Sequence, residues 1–330
     1  MEYVVVTTIN PPTKLFDTIT KRKDLTSVVI GDTKTPLDWF SPGINYLSIA
    51  EQEGLSYRIN KLLPLAHYSR KNIGYVFASK AGATGIIDTD DDNYPTESWI
   101  YPTNSESMWI PPNSQGFINV YEHFTNDFLW PRGFPLDEIL PSIGKTKDLN
   151  LIPNSEKLKV GIWQGLVDGE PDVDAIFRLT HQSRDISFSQ KEPVILTKGN
   201  YCPLNSQNTY FIKQLFPLLY LPMTVDFRFT DILRGYIAQV IAQHLDFAVG
   251  FCSPNVVQIR NEHNFFKDFQ DELSTYKYSK LTVEIAESTV SEGTSIANNL
   301  HNIYDALIKN KVVKSLELSA LEAFLKDIAE

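Results

Sequence analysis

The sequence predicts an α/β fold whose strands deliver acidic residues to one edge of a sheet, and three observations carry that expectation. Apolar, β-branched runs recur at Val4–Ile9, in SVVIGD ending at Asp32, and at Thr84–Ile87. A helical segment from Arg70 to Lys80, with Ile73, Val76 and Phe77 on one face and Gly82 as its stop, leads into the last of these runs as a crossover unit. That run then opens into DTDDDN, where Asp88, Asp90, Asp91 and Asp92 fall within five residues at the carboxyl end of a strand. Open α/β sheets bind their ligands at such ends.

Taken in order, Val4–Ile9 is a first strand, stopped by Pro11 and Pro12. A short helix around Leu15–Thr20 follows, then the second strand, whose terminal Asp32 suits a ribose hydroxyl or base NH as well as it suits an ordinary turn. Ile44–Ile49 reads as a third strand. Arg70 and Lys71 fall at a helix start, where free backbone NH groups favour phosphate and where solvated side chains are equally at home. From Tyr94 to Pro153 prolines and aromatics are dense, including WPRGFPL at Trp130–Leu136, which reads as irregular structure laid over a site. Trp99, Trp109, Trp130 and Trp163 are candidates to stack on a sugar ring, with burial in a core as the commoner alternative.

Farther on, Asp168, Glu170, Asp172 and Asp174 precede a helix containing Ile176, Phe177 and Leu179, so the helix dipole accounts for them. PLNSQNTYF offers Asn205, Ser206, Gln207 and Asn208, suited to hydroxyl recognition or to a turn. An amphipathic helix is expected over Asp231–Leu245, with Leu233, Tyr236, Ile237, Val240, Ile241 and His244 on one face and Thr230 or Asp231 as N-cap. Asp231 is then a cap or a general base, and Arg234 one turn on would steer it or bind phosphate. After Leu281 the pattern is helical to the end, divided near Lys311–Ser315.

The acidic run points to hard-cation chemistry. Mg²⁺ and Mn²⁺ are usually held by one or two carboxylates plus substrate phosphates. An EF-hand beginning at Asp88 is excluded, because Asn93 and Trp99 stand where glycine and glutamate are needed. A phosphatase of the Asp-x-Asp type and a solvated acidic turn are the weaker alternatives. The net charge of −10 argues against a nucleic-acid surface. Two cysteines, Cys202 and Cys252, build no disulfide framework, and no run of 18 apolar residues is present, so a soluble, cytoplasmic protein with no integral membrane segment is expected. The oligomeric state is left open, a homo-oligomer included.

The phrases VVTTINPP, VVIGD, YLSIAEQ, SRKNIGYVFA with IIDTDDDN, WPRGFPL, GLVDGEPDVDAIFRL, LNSQNTYF, FRFTDILRGYIAQ and QIRNEHN, in that order between Val5 and Asn264, resemble the STELLO-type glycosyltransferases. The resemblance implies a GT-A-like (Rossmann-like) mixed sheet flanked by helices, with a C-terminal helical extension. It implies a glycosyltransferase domain over 1–280, its nucleotide-sugar-binding half at 1–95 and its acceptor-binding half at 96–280, and an extension at 281–330. The implied partners are a nucleotide-sugar donor, UDP-sugars favoured, and a glycan or saccharide acceptor in polysaccharide synthesis. IIDTDDDN is similar to an Asp-x-Asp metal motif, which makes Asp90 and Asp92, completed by His263, candidate ligands of Mn²⁺ or Mg²⁺. Thr8, Asp32, Arg70, Lys71, Asp88, Asn205 and Gln207 become candidates for nucleotide-sugar binding, and Asp231 with Arg234 for catalysis. With Asp231 as base the reaction inverts the anomeric carbon. A nucleotide-sugar mutase and a non-catalytic scaffold are the alternatives.

Overall fold

The structure, a computed structural model, describes residues 1–96, 99–102, 105–153, 158–181, 186–259 and 264–329. His263 lies outside the described residues. The strands are β1 Glu2–Thr8, β2 Leu25–Gly31, β3 Asn45–Leu47, β4 Gly85–Thr89, β5 Asn93–Pro95, β6 Ser107–Ile110, β7 Gly116–Phe117, β8 Asn150–Pro153, β9 Val160–Gly169, β10 Val194–Leu196, β11 Asn200–Tyr201, β12 Asn208–Ile212 and β13 Ala248–Gln258. The helices are α1 Lys14–Lys21, α2 Ile49–Gly54, α3 Lys71–Lys80, α4 Tyr121–Phe124, α5 Ile139–Ser142, α6 Ala175–Thr180, α7 Thr230–His244, α8 Phe265–Asp271, α9 Leu273–Thr289, α10 Ile296–Lys309 and α11 Leu316–Ala329.

The mixed, Rossmann-like sheet flanked by helices that the sequence implies is present. It runs β3-β2-β1-β4-β12-β9-β13-β10-β6-β8, with β5 paired to β13. β3, β2, β1 and β4 are parallel. Strand order reverses between β1 and β4, so the carboxyl ends of these strands open a crevice there. β12 then pairs antiparallel with both β4 and β9, and β13 runs parallel to β9. This single change of direction brings the start of β12 and the ends of β9 and β13 to the same edge: Asn208 stands opposite Thr89, and Gln258 opposite Gly169.

Local chemistry explains the departures from the expected elements. The third strand stops at Leu47, short of Ile49, because Ser48 and Glu51 form a capping box that starts α2. α7 begins at Thr230, directly after a 3₁₀ turn at Phe227–Phe229, so Asp231 sits in its first turn and is not its N-cap. The same helix is not amphipathic in place: every residue from Thr230 to Gln243 is buried. Its polar residues are paired inside, Gln239 accepting from the Cys202 NH and Gln243 donating to the Asn200 carbonyl. The expected division of the final helices matches α10 and α11.

Residue 281 lies inside α9, and the last helices pack into the main core. Buried Glu317 on α11 accepts from the Met223 and Thr224 NH groups and from the Tyr220 hydroxyl, while Asp327 accepts from the Ile59 NH. Among the described residues no helix is long and apolar enough to cross a membrane.

A second acidic cluster joins α6 to the start of α9. Asp174 caps α6 by accepting from the Ile176 NH at 2.7 Å, and Tyr276 donates towards both Asp174 and Glu272. Burial first, and then the neighbouring Glu272, push the Asp174 carboxyl up to about 7. A carboxyl raised above its unfolded value stabilises the fold in its protonated form. That contribution is fully present below the ordinary value near 4 and is lost as pH rises through about 7. Asp174→Asn keeps the cap and removes the titration. In denaturant unfolding the variant should lose less stability than wild type between pH 4 and 7, the difference reaching on the order of 3 kcal/mol; identical pH slopes would show that Asp174 does not titrate there.

Candidate active site

A cavity of about 450 Å³ opens at the shared edge. Residues Thr7–Asn10 at the end of β1, Asp32–Lys34 after β2 and Ala66–Tyr68 with Arg70 before α3 form one side, and Asp90, Asp91 and Asp92 follow from β4. The remaining lining comes from Arg132, Asp172, Gln207, Phe227, Arg228, Asp231 and Gln258.

Beneath it lies a buried ion group. Asp88 is 0% exposed and receives the Lys71 ammonium at 2.6 Å and the Arg234 guanidinium at 3.0 Å. Lys71 also donates to the Thr89 carbonyl, and Arg234 to the Ser206 hydroxyl. Three expected ligand contacts are therefore corrected: Asp88, Lys71 and Arg234 are spent on one another and do not line the cavity. Burial removes all three side chains from solvent, and their opposite charges stabilise one another there. Asn205 is corrected likewise, since it is enclosed and bonds Gln164 and Asp172.

The acids above that group divide in direction. Asp91 turns towards β1, accepting from the Thr8 hydroxyl and from Asn10, so Thr8 lines the cavity with its hydroxyl already engaged. Asp90 and Asp92 face the cavity. Asp90 keeps a third of its side chain exposed and accepts from the Tyr68 hydroxyl at 3.1 Å. Dense surroundings raise its carboxyl most; Lys71 pulls it back, and Asp92, Asp88 and Asp91 raise it again, leaving it at about 7. Asp92 accepts from the Gln258 amide at 2.8 Å. Among the described residues no three His, Cys, Asp or Glu side chains form a ready metal cage. Two crowded carboxylates at the cavity, Asp90 and Asp92, are nevertheless a fit for a hard divalent ion whose shell a diphosphate completes.

Asp32 accepts from the NH groups of Thr33, Ala66 and His67, and so secures the loop at Ala66, whose φ is +52°. Its carboxylate stays partly accessible at the cavity. Arg70 also reaches the lining, yet it is mostly enclosed and donates to Gln52, which in turn bonds the Gly31 and Leu47 carbonyls. The expected phosphate contact from Arg70 is thus replaced by a brace between α2 and the β2 end.

On the α7 side, Arg132 bridges two acids. Its guanidinium donates to Asp172 at 2.7–3.0 Å and to Asp231 at 2.8 and 3.1 Å. Burial opposes the charge on Arg132, but Asp172 and Asp231 outweigh it and hold the arginine well above its ordinary range. Asp231 also accepts from the Ser206 NH. Gln207 accepts from the Asp172 NH and donates to Gln258, which reaches Asp92, so hydrogen bonds run unbroken from the Asp231 wall to the β4 acids.

Sequence reasoning missed Arg132, Tyr68, Phe227 and Gln258, and it assigned Asp172 to a helix dipole. Only Arg132 carried a signal, an arginine in the tight Pro-Arg-Gly turn whose Gly133 adopts φ +87°. None of the four candidate tryptophans lines the cavity; Trp99, Trp130 and Trp163 are core residues.

A family model described as STELLO glycosyltransferases matches residues 228–330, a segment that begins at the cavity and includes Asp231. Probable glycosyltransferase STELLO2 of Arabidopsis thaliana is 31% identical over 273 residues, covering 77% of this chain and 35% of the relative. Probable glycosyltransferase STELLO1 of the same plant is 32% identical over 257 residues, covering 72% and 33%. The chain spans about a third of the length of these curated relatives. Among solved structures, a mycobacterial protein is similar at a TM-score of 0.42 and 10% identity, covering 87% of this chain and 74% of its own. Glucosyl-3-phosphoglycerate synthase from Mycobacterium tuberculosis, in complex with phosphoglyceric acid, follows at 0.40 and 10% identity, covering 87% and 79%.

Asp88→Asn would leave Lys71 and Arg234 buried beside a neutral amide. Denaturant unfolding should register a loss of roughly 3–5 kcal/mol, and unchanged stability would remove the ion group from its place as the support of the site.

Proposed function

The chain belongs to the STELLO glycosyltransferase family, and on that premise we propose that it moves a sugar from a nucleoside-diphosphate sugar, UDP-sugars foremost, to a hydroxyl of a glycan acceptor. The supporting observation is that two sets of carboxylates line one cavity: Asp90 and Asp92 from the end of β4, Asp231 and Asp172 around Arg132.

In this reading Asp90 and Asp92 would hold Mn²⁺ or Mg²⁺, which would supply positive charge to neutralise the leaving diphosphate. The nucleoside lies along the ends of β1 and β2, where Asp32 and the Ala66–His67 backbone it secures offer polar contacts. Asp231 takes the proton of the acceptor hydroxyl. Arg132 and the Ser206 NH keep that carboxylate oriented, and Asp172 in turn holds Arg132. With Asp231 as the base, attack on the face of the sugar away from the departing diphosphate would invert the anomeric carbon.

Thermal unfolding with UDP, GDP and CMP, each with and without Mn²⁺, tests the donor site. One nucleotide with the metal should stabilise the protein by about 2.7 kcal/mol at a hundred times its dissociation constant; no shift with any pair would refute the donor site. Asp231→Asn should lower transfer by roughly a hundredfold or more while keeping the nucleotide-dependent shift. Transfer at the wild-type rate would remove Asp231 from the role of base.

A further inference from the structure

Phe227 is an apolar side chain held out into a polar cavity by a turn that is anchored on both sides of it. Before it, the Asp226 carbonyl accepts from the Phe229 NH at 2.9 Å and Asp226 accepts from the Ser274 hydroxyl. After it, Arg228 is tied to Glu272 at 2.7–2.8 Å and Phe229 is fully buried in the core. Of Phe227–Phe229 only Phe227 projects outward, 59% exposed, and it lines the cavity. Exposing a large ring at a rigidly fixed position, where neighbouring residues are buried or paired, is the arrangement of a binding platform.

The neighbours of the ring say what it meets. Tyr68 stands edge-on to it at 5.5 Å, and the Tyr68 hydroxyl bonds Asp90. Asp231 is four residues later, in the first turn of the helix that follows this 3₁₀ turn, and lines the same cavity. A ligand on Phe227 therefore lies between the β4 acids and the carboxylate assigned to take a proton. The nucleoside side, at Asp32, Ala66 and His67, is built by other elements. A pyranose offers an apolar face to an aromatic ring and hydroxyl groups to a carboxylate.

We propose that Phe227 is the stacking platform of the acceptor site and that the acceptor presents a pyranose ring to it, with one of its hydroxyls directed at Asp231. This rests on the glycosyltransferase reading. The platform fixes the ring face and the carboxylate fixes the edge, so the two together select which hydroxyl reacts.

The test uses the full chain, the nucleotide sugar chosen by the thermal experiment, and a panel of methyl pyranosides and neutral disaccharides as acceptors. Hydrolysis of the donor by water is followed alongside transfer. Phe227→Ala should raise the KM for the saccharide on the order of tenfold, leave donor KM and hydrolysis within twofold of wild type, and leave the melting temperature unchanged. Phe227→Trp should restore saccharide KM. An unaltered acceptor KM, or no rescue by tryptophan, would overturn the proposal. A rise confined to donor KM would also overturn it by assigning the ring to the donor sugar. Failure of the glycosyltransferase reading looks different, since wild-type protein would then show neither a nucleotide shift nor hydrolysis, and the acceptor site would fall with it.

Discussion

The contact on which the rest of this molecule depends is the burial of Asp88 between Lys71 and Arg234. It ties the fourth strand, the helix that precedes it and the long helix at Thr230–His244 into one unit. Charges removed from water are tolerated only in close, fully paired geometry, so these three elements have little freedom to shift without exposing an unpaired ion. The cavity acids inherit that rigidity. Asp90 begins two residues after Asp88, and Asp231 lies three residues before Arg234.

A second constraint is directional. Parallel strands alone would place only strand ends and the turns after them at the crevice. The antiparallel insertion of Asn208–Ile212 between Gly85–Thr89 and Val160–Gly169 adds the start of one strand and the ends of two others. Gln207, Asp172 and Gln258 arrive there for that reason. Once together, they share hydrogen bonds that couple the orientation of Asp92 to the backbone of Asp172. Such a network is strongest when every member is satisfied, and it sets the Asp231 wall and the β4 acids in one frame.

Much of the fold was legible in the chain because its signals are local. β-branched runs ending in proline or aspartate mark strands, and the acids after Ile87 mark a strand's carboxyl end. The acidic motif showed that a site exists, but it did not show which acids face it. Asp88 turned out to be buried between two cations, and Asp91, though at the cavity, is engaged by Thr8 and Asn10. Asp90 and Asp92 line the cavity from the other side of that turn; side chains alternate along a strand, and the first turn after it breaks that alternation. Arg70, Lys71 and Arg234 were misplaced for a related reason. A cation looks available for a phosphate until the fold supplies a buried partner. The tryptophans drew attention as stacking residues, yet large rings are the cheapest way to fill a core, and the phenylalanine exposed at the cavity is Phe227.

What the sequence by itself determined is the first four strands with the helix before the last of them, the acidic edge and the family, since each is written in periodicity, turn residues and contiguous motifs. What only the tertiary structure decided is which charges neutralise one another and which remain in the cavity. Arg132 meets Asp172 and Asp231 across 40 and 99 residues of chain, and Arg234 meets Asp88 across 146. No local pattern encodes such distances. Burial makes a pair of charges obligatory once the chain has brought them together, and so the packing of the sheet against its helices selected the reactive groups from a longer set of candidates.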